Sequence, residues 1–399
     1  MAGIRSEALA NRAMKISILL SDLADNPIVR AYPILKVLEK RYEVEVIGPC
    51  FGPHMFQPYE GEFDVRIIEG CNYPKFLKKL RGLYRSVSGD IVFAFKPRPT
   101  SFLIALLCSF LKRIPIVLDI EDWELAPHWI QSEELSNRAF LKRYLFHGWK
   151  FPNDFKYLYL TERLVSLSDA IFVSSNFLKE KYGGTKLYHG ADTELFNPDG
   201  RDKNLLRDKW GVPREKKVVL FAGTPRPHKG LGDLIRALNI IDSNNEIILL
   251  IVGGKIGENG DSRLYESNRK RIIHLGYQPH AFMPEILHLS DLVVLPQKDN
   301  PISRAQVPAK VFEAMAMGKP VIATAVSDLP EILEGCGLII EVGDVKALAR
   351  SIQRVLRNPH MGSVMGRKAR RKCIKLYSFE AMEGVLFPVF LRFEKGFDT

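Results

Sequence analysis

Short apolar runs recur along the chain at spacings that leave room for one helix between each pair. In the first half they are "KISILL", "YEVEVIGP", "DVRIIE", "DIVFAF", "PIVLDI", "DAIFVSS" and "TKLYHG". In the second they are "KVVLFAG", "EIILLIVGG", "RIIHLGY", "DLVVLPQ", "PVIATA" and "GLIIEV". Many of them are apolar at nearly every position instead of alternating, so these strands are buried on both faces. The segments between them carry helical spacing, as in "VRAYPILKVLEKRY". Strand–helix alternation of this kind predicts parallel sheets covered by helices on both sides. The pattern pauses once, at "FNPDGRDKNLLRDKWGVPREKK" (Phe196–Lys217), which is polar and rich in Pro, Gly and charge and reads as an interdomain linker. Two α/β domains are expected, over residues 14–195 and 216–375, with an apolar terminal helix over residues 376–399.

Other architectures fail on composition. A hydrophobic fraction of 46% with 26% charged residues is that of a folded globular chain. The longest apolar run, Phe102–Leu111, holds ten residues including Ser109, against roughly 20 for a spanning helix. "ISILL" is flanked by Lys15 and Asp22 and reads as a first strand, not a signal-peptide core. The five cysteines never occur as CxxC, so a reduced, cytoplasmic protein without a metal site is expected.

The strongest site signal lies after "VVLFAG". Gly223 lets the backbone turn, and Arg226 and Lys229 precede a helix that starts near Gly230. Two cations beside a helix N-terminus favour a diphosphate. Further on, "QVPAKVFEAMAMGKP" starts a helix near Pro308 and stops it at Gly318. Lys310 and Glu313 share a face of it. Glu313 leans toward the helix mouth, where a carboxylate can accept both hydroxyls of a ribose; a surface helix residue is the other reading. Tyr277 ends a strand and reads either as a base contact or as a rim tyrosine. "IVGGKIGENG" is not GxGxxG and no GxxxxGK[ST] occurs, which speaks against a nicotinamide-dependent oxidoreductase.

In the first half, "SDLADNPIVRAYPIL" puts Asn26 where it can cap a helix opened by Pro27, and Arg30 in the first turn. Arg30 reads as an acceptor or phosphate contact, or as a solvent-facing residue. "VLDIEDWELAPHW" places Asp119, Glu121, Asp122 and Glu124 at a strand end, where doubly wound sheets bind ligands. Asp122 is the first choice among them for a catalytic group, with helix capping as the bland alternative. His128 and His189 are further candidates.

"FAGTPRPHKGLGDLIRAL", "LGYQPHAFMPEILHLSDLVVLP", "PAKVFEAMAMGKPVIAT" and "SDLPEIL" together resemble the C-terminal domain of the retaining glycosyltransferases of family four, also called glycosyltransferase group 1. "LYHGADTELFNPD" is similar to the segment leading into that family's hinge. The resemblance is specific over about half the chain. It implies a GT-B fold: two facing Rossmann-like domains, the donor in the interdomain cleft, the acceptor on the N-terminal domain, and a last helix returning to that domain. It also implies that Gly223, Arg226, Lys229 and Gly230 hold the donor diphosphate, Lys310 and Glu313 the ribose side, and Tyr277 the base. Asp122 with Arg226 and Lys229 would carry catalysis, and Asn26, Arg30 and His128 would face the acceptor. No cofactor and no metal is expected, the cations taking the charge of the leaving group. Two positions depart from the family. The glutamate eight residues before Glu313 is replaced by Ala305, and the arginine directly after Gly223 by Thr224, with Arg226 as its substitute.

The net charge of +11 fits a polyanionic partner. "YPKFLKKLRGLYR" (Tyr73–Arg85) holds five Lys/Arg, no acid and five apolar or aromatic residues from Phe76 to Tyr84, a pattern suited to an anionic membrane surface or to a solvated basic helix face. With the aromatic-basic stretch Phe140–Leu160 it suggests a glycan or lipid-linked acceptor in cell-surface polysaccharide or glycolipid synthesis, and a peripheral place on the inner face of the membrane. Nucleic acid is not expected, since no binding module occurs. The rival reading is an inactive nucleotide-sugar-binding subunit of a glycosyltransferase complex, motivated by Ala305.

Overall fold

The computed structural model describes residues 13–134, 149–241, 246–255 and 262–394. The chain divides into two units, residues 1–188 with 382–399, and residues 189–381.

The first unit is built on seven parallel strands: β1 (Lys15–Leu19), β2 (Glu43–Cys50), β3 (Arg66–Glu69), β4 (Ile91–Phe95), β5 (Ile116–Ile120), β6 (Ala170–Val173) and β7 (Thr185–Lys186). They lie in the order β3-β2-β1-β4-β5-β6-β7. Strand β4 is buried at every residue, as its unbroken apolar sequence requires. Among the helices, α1 (Pro27–Leu38) opens on Pro27, α2 (Lys75–Ser86) follows β3, and α3 (Ile104–Lys112) follows β4. Helix α4 (Phe155–Arg163) is capped by the Asp154 carboxylate.

The second unit has six parallel strands: β8 (Lys217–Ala222), β9 (Ile247–Val252), β10 (Ile272–His274), β11 (Leu292–Leu295), β12 (Val321–Thr324) and β13 (Leu338–Ile340), in the order β10-β9-β8-β11-β12-β13. All thirteen strands coincide with the apolar runs of the sequence. In both sheets the order reverses once, between β1 and β4 and between β8 and β11. Doubly wound sheets bind ligands beyond the carboxyl ends of the strands at such a reversal.

The polar stretch Phe196–Lys217 is not a free linker. It carries α5 (Lys203–Lys209), capped by Asp202, and belongs to the second unit. The Lys203 ammonium lies 2.5 Å from Asp291 and the Arg207 guanidinium 3.1 Å from it, while the Trp210 indole donates to Glu285 at 3.1 Å. Lys203, Arg207 and Trp210 are docking contacts, which composition does not distinguish from the exposed charges around them. Helix α6 (Leu231–Ile241) follows β8, α7 (Lys310–Ala316) precedes β12, and α8 (Val345–Arg357) and α9 (Pro359–Leu376) complete the unit.

The last helix, α10 (Phe379–Glu394), begins in the second unit, and from Met382 onward its residues belong to the first. Phe390 is fully buried, its ring 5.6 Å from that of Phe93 on β4 and 5.9 Å from Tyr42. The Arg41 guanidinium pairs with Glu394 at 3.0 Å.

Candidate functional site

At the strand-order reversal of the second unit, β8 ends in Gly223, whose φ is +135°. A short turn, Pro227–Lys229, leads to Gly230 (φ +71°) and into α6. Gly230 is obligatory: a Cβ there would stand 1.8 Å from the Pro296 carbonyl oxygen. The Lys298 amide donates to the His228 carbonyl at 2.9 Å, so the turn after β8 is laced to the loop after β11. Arg226 is exposed at the start of this turn, and the Lys229 ammonium donates to the Gln306 side chain. The turn therefore presents two cations at a helix start, an arrangement suited to a diphosphate.

Glu313 is not a surface helix residue. It is 2% exposed, with the Lys310 ammonium donating to its two oxygens at 2.8 and 3.0 Å and the His280 ring 3.6 Å away. Burial alone would raise its pKa; the charge of Lys310 and the His280 contact outweigh it and bring the carboxyl down to about 2. A permanently ionised acceptor thus sits at the start of α7. His280, itself packed on the Phe196 ring at 5.4 Å, was not legible as its partner from sequence.

Tyr277 is half-exposed, and its hydroxyl lies 3.1 Å from Thr224 Oγ1 beside the loop after β8. It is tied to Gly254 as well, where a Cβ would meet the tyrosine hydroxyl at 2.7 Å. The glycine-rich stretch beyond it, residues 256–261, lies outside the described residues. Sequence reasoning also missed Gln297. It follows β11, is 2% exposed, and among the described residues neither of its amide atoms has a hydrogen-bond partner. Buried polar groups are normally satisfied, so Gln297 stands out beside the two cations. Ala305 is fully buried, and its methyl side chain offers no carboxylate to this loop.

The first unit has its own charged cluster at the matching reversal. Arg30 is 1% exposed and donates through Nε to Asp119 Oδ1 at 3.1 Å and through Nη2 to Oδ2 at 2.8 Å, with a further bond to the Leu187 carbonyl. The solvent-facing reading is thereby corrected: Arg30 and Asp119 neutralise each other inside the unit. Lys96 follows β4 with φ +67° and buries its ammonium 2.6 Å from Asp122, 3.2 Å from Glu124 and 4.0 Å from Glu121. Arg98 donates to Glu124 at 2.6 Å. Asn26 occupies the N-cap position of α1 without a side-chain capping bond; its side chain accepts from Lys96 at 3.4 Å instead. Asp122 is thus held by Lys96, and His128 packs its ring 4.9 Å from Phe155. His189, the other histidine singled out, is buried.

Carboxyls outnumber the three cations in this cluster, since Arg98 also lies 3.8 Å from Asp25, and Glu121 is the one pushed toward protonation. Burial first, and then the neighbouring Asp122, push its pKa up to about 8, so it holds a proton at neutral pH. The sign of the pH effect follows. An unfolded glutamate titrates near 4.3, so between about pH 4.5 and 8 the unfolded chain loses a proton that Glu121 keeps in the folded chain, and the contribution of Glu121 to stability falls as pH rises. Glu121→Gln is expected to flatten this slope and to raise stability at pH 8 by a few kcal/mol, at about 1.4 kcal/mol per pKa unit. Urea unfolding followed at pH 5, 6.5 and 8 reads this, and parallel pH dependences for both proteins would refute it.

Among known proteins, the family model described as glycosyl transferases group 1 matches residues 202–372. A D-inositol 3-phosphate glycosyltransferase of Corynebacterium glutamicum is 30% identical over 193 residues, which are 45% of this chain and 45% of that protein. The chain thus spans about half the length of the curated relatives it matches first. Among solved structures, sucrose-phosphate synthase from Thermosynechococcus elongatus superposes with a TM-score of 0.73 at 17% identity, covering 96% of this chain and all of that one. Anabaena HepE in complex with UDP-glucose gives 0.71 at 18% identity, covering 96% of this chain and 100% of that one. These likenesses concern the fold, which is of GT-B type with two Rossmann-like units.

Proposed function

We propose that the chain, whose residues 202–372 match the glycosyl transferases group 1 model, transfers a sugar, with retention of configuration, from a nucleotide-diphosphate sugar to a glycan or lipid-linked acceptor. The observation that carries this is the turn after β8. It joins Gly223, Arg226, Lys229 and Gly230 at a strand-order reversal, and the ionised Glu313 stands on the neighbouring α7.

In this reading Arg226 and Lys229 hold the diphosphate, and Glu313, oriented by Lys310 and His280, accepts the ribose hydroxyls. Tyr277 lies at the base end. The bond between the anomeric carbon and the phosphate oxygen breaks as the acceptor hydroxyl oxygen bonds to that carbon on the same face. The acceptor's proton passes to the departing phosphate oxygen. Negative charge grows on the diphosphate during the step, and the two cations are already aimed at it, which is preorganised electrostatic stabilisation. In this reading Gln297, with its unused amide after β11, would read the sugar or its phosphate in place of the missing glutamate at Ala305. On the first unit, Asp122 is the catalytic candidate and Asn26, Arg30 and His128 are the acceptor-side residues in this reading. Arg30 acts there by fixing Asp119, and Asp122 acts within the ion pair to Lys96. A product in cell-surface polysaccharide or glycolipid synthesis fits an acceptor of this class.

The test is a thermal-shift screen against UDP, GDP, ADP and NAD, followed by donor turnover with and without EDTA. One nucleoside diphosphate is expected to raise the melting temperature by mass action, and the rise should shrink in Lys229→Ala and in Glu313→Ala. Turnover is expected to survive EDTA within about twofold, because side chains supply the positive charge. Binding without turnover of any donor would instead make the chain a nucleotide-sugar-binding subunit. A shift with NAD alone would overturn the reading.

A further inference from the structure

The basic segment Tyr73–Arg85 forms α2, and the helix turns its apolar residues inward. Phe76 and Leu83 are fully buried, and Tyr73 packs on Phe76 and on Tyr157 of α4 at 5.8 and 5.1 Å. The exposed positions are Lys75, Leu77, Lys78, Arg81, Gly82 and Arg85, which fall on one side of a helix at 100° per residue. That side carries four cations and no acid. Lys79 is drawn away from it to Glu69 at 2.9 Å.

The apolar part comes from the next helix. On α3, Ile104, Ala105 and Cys108 point into the core, while Phe110 is 84% exposed and Leu111 lies exposed beside it. Lys112 joins this end of α3 to the end of α2. Its ammonium donates to the Tyr84 and Val87 carbonyls at 3.0 and 2.8 Å and lies 4.4 Å from the Tyr84 ring centre. At the other end of α2, the Tyr73 amide donates to the Lys150 carbonyl at 2.7 Å, which brings in Trp149, exposed and covered on one side by the Lys156 ammonium at 3.7 Å. The two segments singled out in the sequence therefore meet on one face of the first unit, as far as Phe140–Leu160 lies within the described residues.

We propose that this face docks on an anionic lipid bilayer, with the α2 cations reading the headgroups and Phe110 and Leu111 entering the acyl boundary. A surface of cations alone would suit nucleic acid equally. A phenylalanine and a leucine exposed on a helix whose end is bonded through Lys112 to the end of α2 suit a medium that is anionic at its surface and apolar just beneath it. Stable membrane anchoring takes two such signals, because one apolar anchor gives only marginal binding by itself. Among the described residues no helix is long and apolar enough to cross a membrane, so the contact is peripheral. The inference goes beyond the sugar-transfer reading and does not depend on it.

Flotation of the full chain with vesicles tests this without any nucleotide. Vesicles of phosphatidylcholine with phosphatidylglycerol are expected to carry the protein at least about tenfold better than phosphatidylcholine alone, with the difference shrinking as salt rises past the screening range. Lys78→Glu with Arg81→Glu should lower binding to anionic vesicles at least about tenfold. Phe110→Ser with Leu111→Ser should lower it several-fold and leave the salt dependence in place. All four side chains are exposed, so both variants are expected to keep the wild-type circular dichroism and melting temperature. Equal binding to both vesicle types, no binding, or wild-type flotation of either double variant would overturn the proposal. So would capture by RNA with no flotation.

Discussion

Lys229→Ala is expected to slow sugar transfer by about 10²–10³-fold, the usual cost of removing one preorganised donor aimed at developing charge. The loss should fall mainly on kcat. Ground-state binding of the donor keeps Arg226 and the ribose contact to Glu313, whereas the charge on the leaving diphosphate reaches its full value only as the glycosidic bond breaks. Lys229→Arg, which keeps the charge and shifts its position, should recover part of the rate. The unliganded melting temperature should barely change, because Lys229 donates to the partly buried loop residue Gln306 and supports no core. Steady-state kinetics with the donor found by thermal shift would measure this. A variant whose kcat stays within about threefold of wild type would remove Lys229 from the chemistry, and with it the main reason for calling the turn after β8 a diphosphate site.

Arg30→Met is expected to destabilise the first unit by about 3–5 kcal/mol, the range for stranding one partner of a buried ion pair. Asp119 is fully buried on β5 and takes both Nε and Nη2 of Arg30. With the guanidinium gone, the carboxylate must be neutralised or drag water inward, and Glu121 already holds the proton that this cluster can most easily keep. Arg30→Met combined with Asp119→Leu should recover most of the loss, since a well-packed apolar pair often replaces a buried ion pair at no cost. Urea denaturation of the full chain, followed by a probe in the first unit, distinguishes the variants. A single variant within about 1 kcal/mol of wild type would mean that the pair is solvated, contrary to its burial.

How much of this was written in the sequence depends on how far apart the interacting residues lie. The strands were legible because a strand buried on both faces must be apolar throughout, and "IILLIV" or "IVFAF" can hardly be anything else at that length. The turn from Gly223 to Gly230 was legible because its glycines, cations and helix start are contiguous. Arg30 and Asp119 are 89 positions apart, and each alone looks like a surface charge. His280 and Glu313 pair across 33 positions with no local signal. Phe196–Lys217 misled because a few of its side chains, Lys203, Arg207 and Trp210, dock on Asp291 and Glu285, 75 or more positions away. In α2 the residue types were seen, and the sequence left open what its basic face meets. Both faces of an amphipathic helix are present in the sequence, and only the neighbouring strands decide which one the core takes.

The terminal helix bears on the order in which the chain can fold as it is made. The second unit is a single contiguous stretch, complete once Ala381 has been synthesised. The first unit, though begun earlier, lacks Leu386 and Phe390 until the chain has passed beyond it, and Phe390 fills the space against Phe93 at the centre of the sheet. Nascent chains generally complete their N-terminal domain first. Here the early unit must wait, with part of β4's neighbourhood open, while the later one closes. A chaperone that shields a half-finished N-terminal sheet would find its client in this chain throughout the synthesis of residues 189–381.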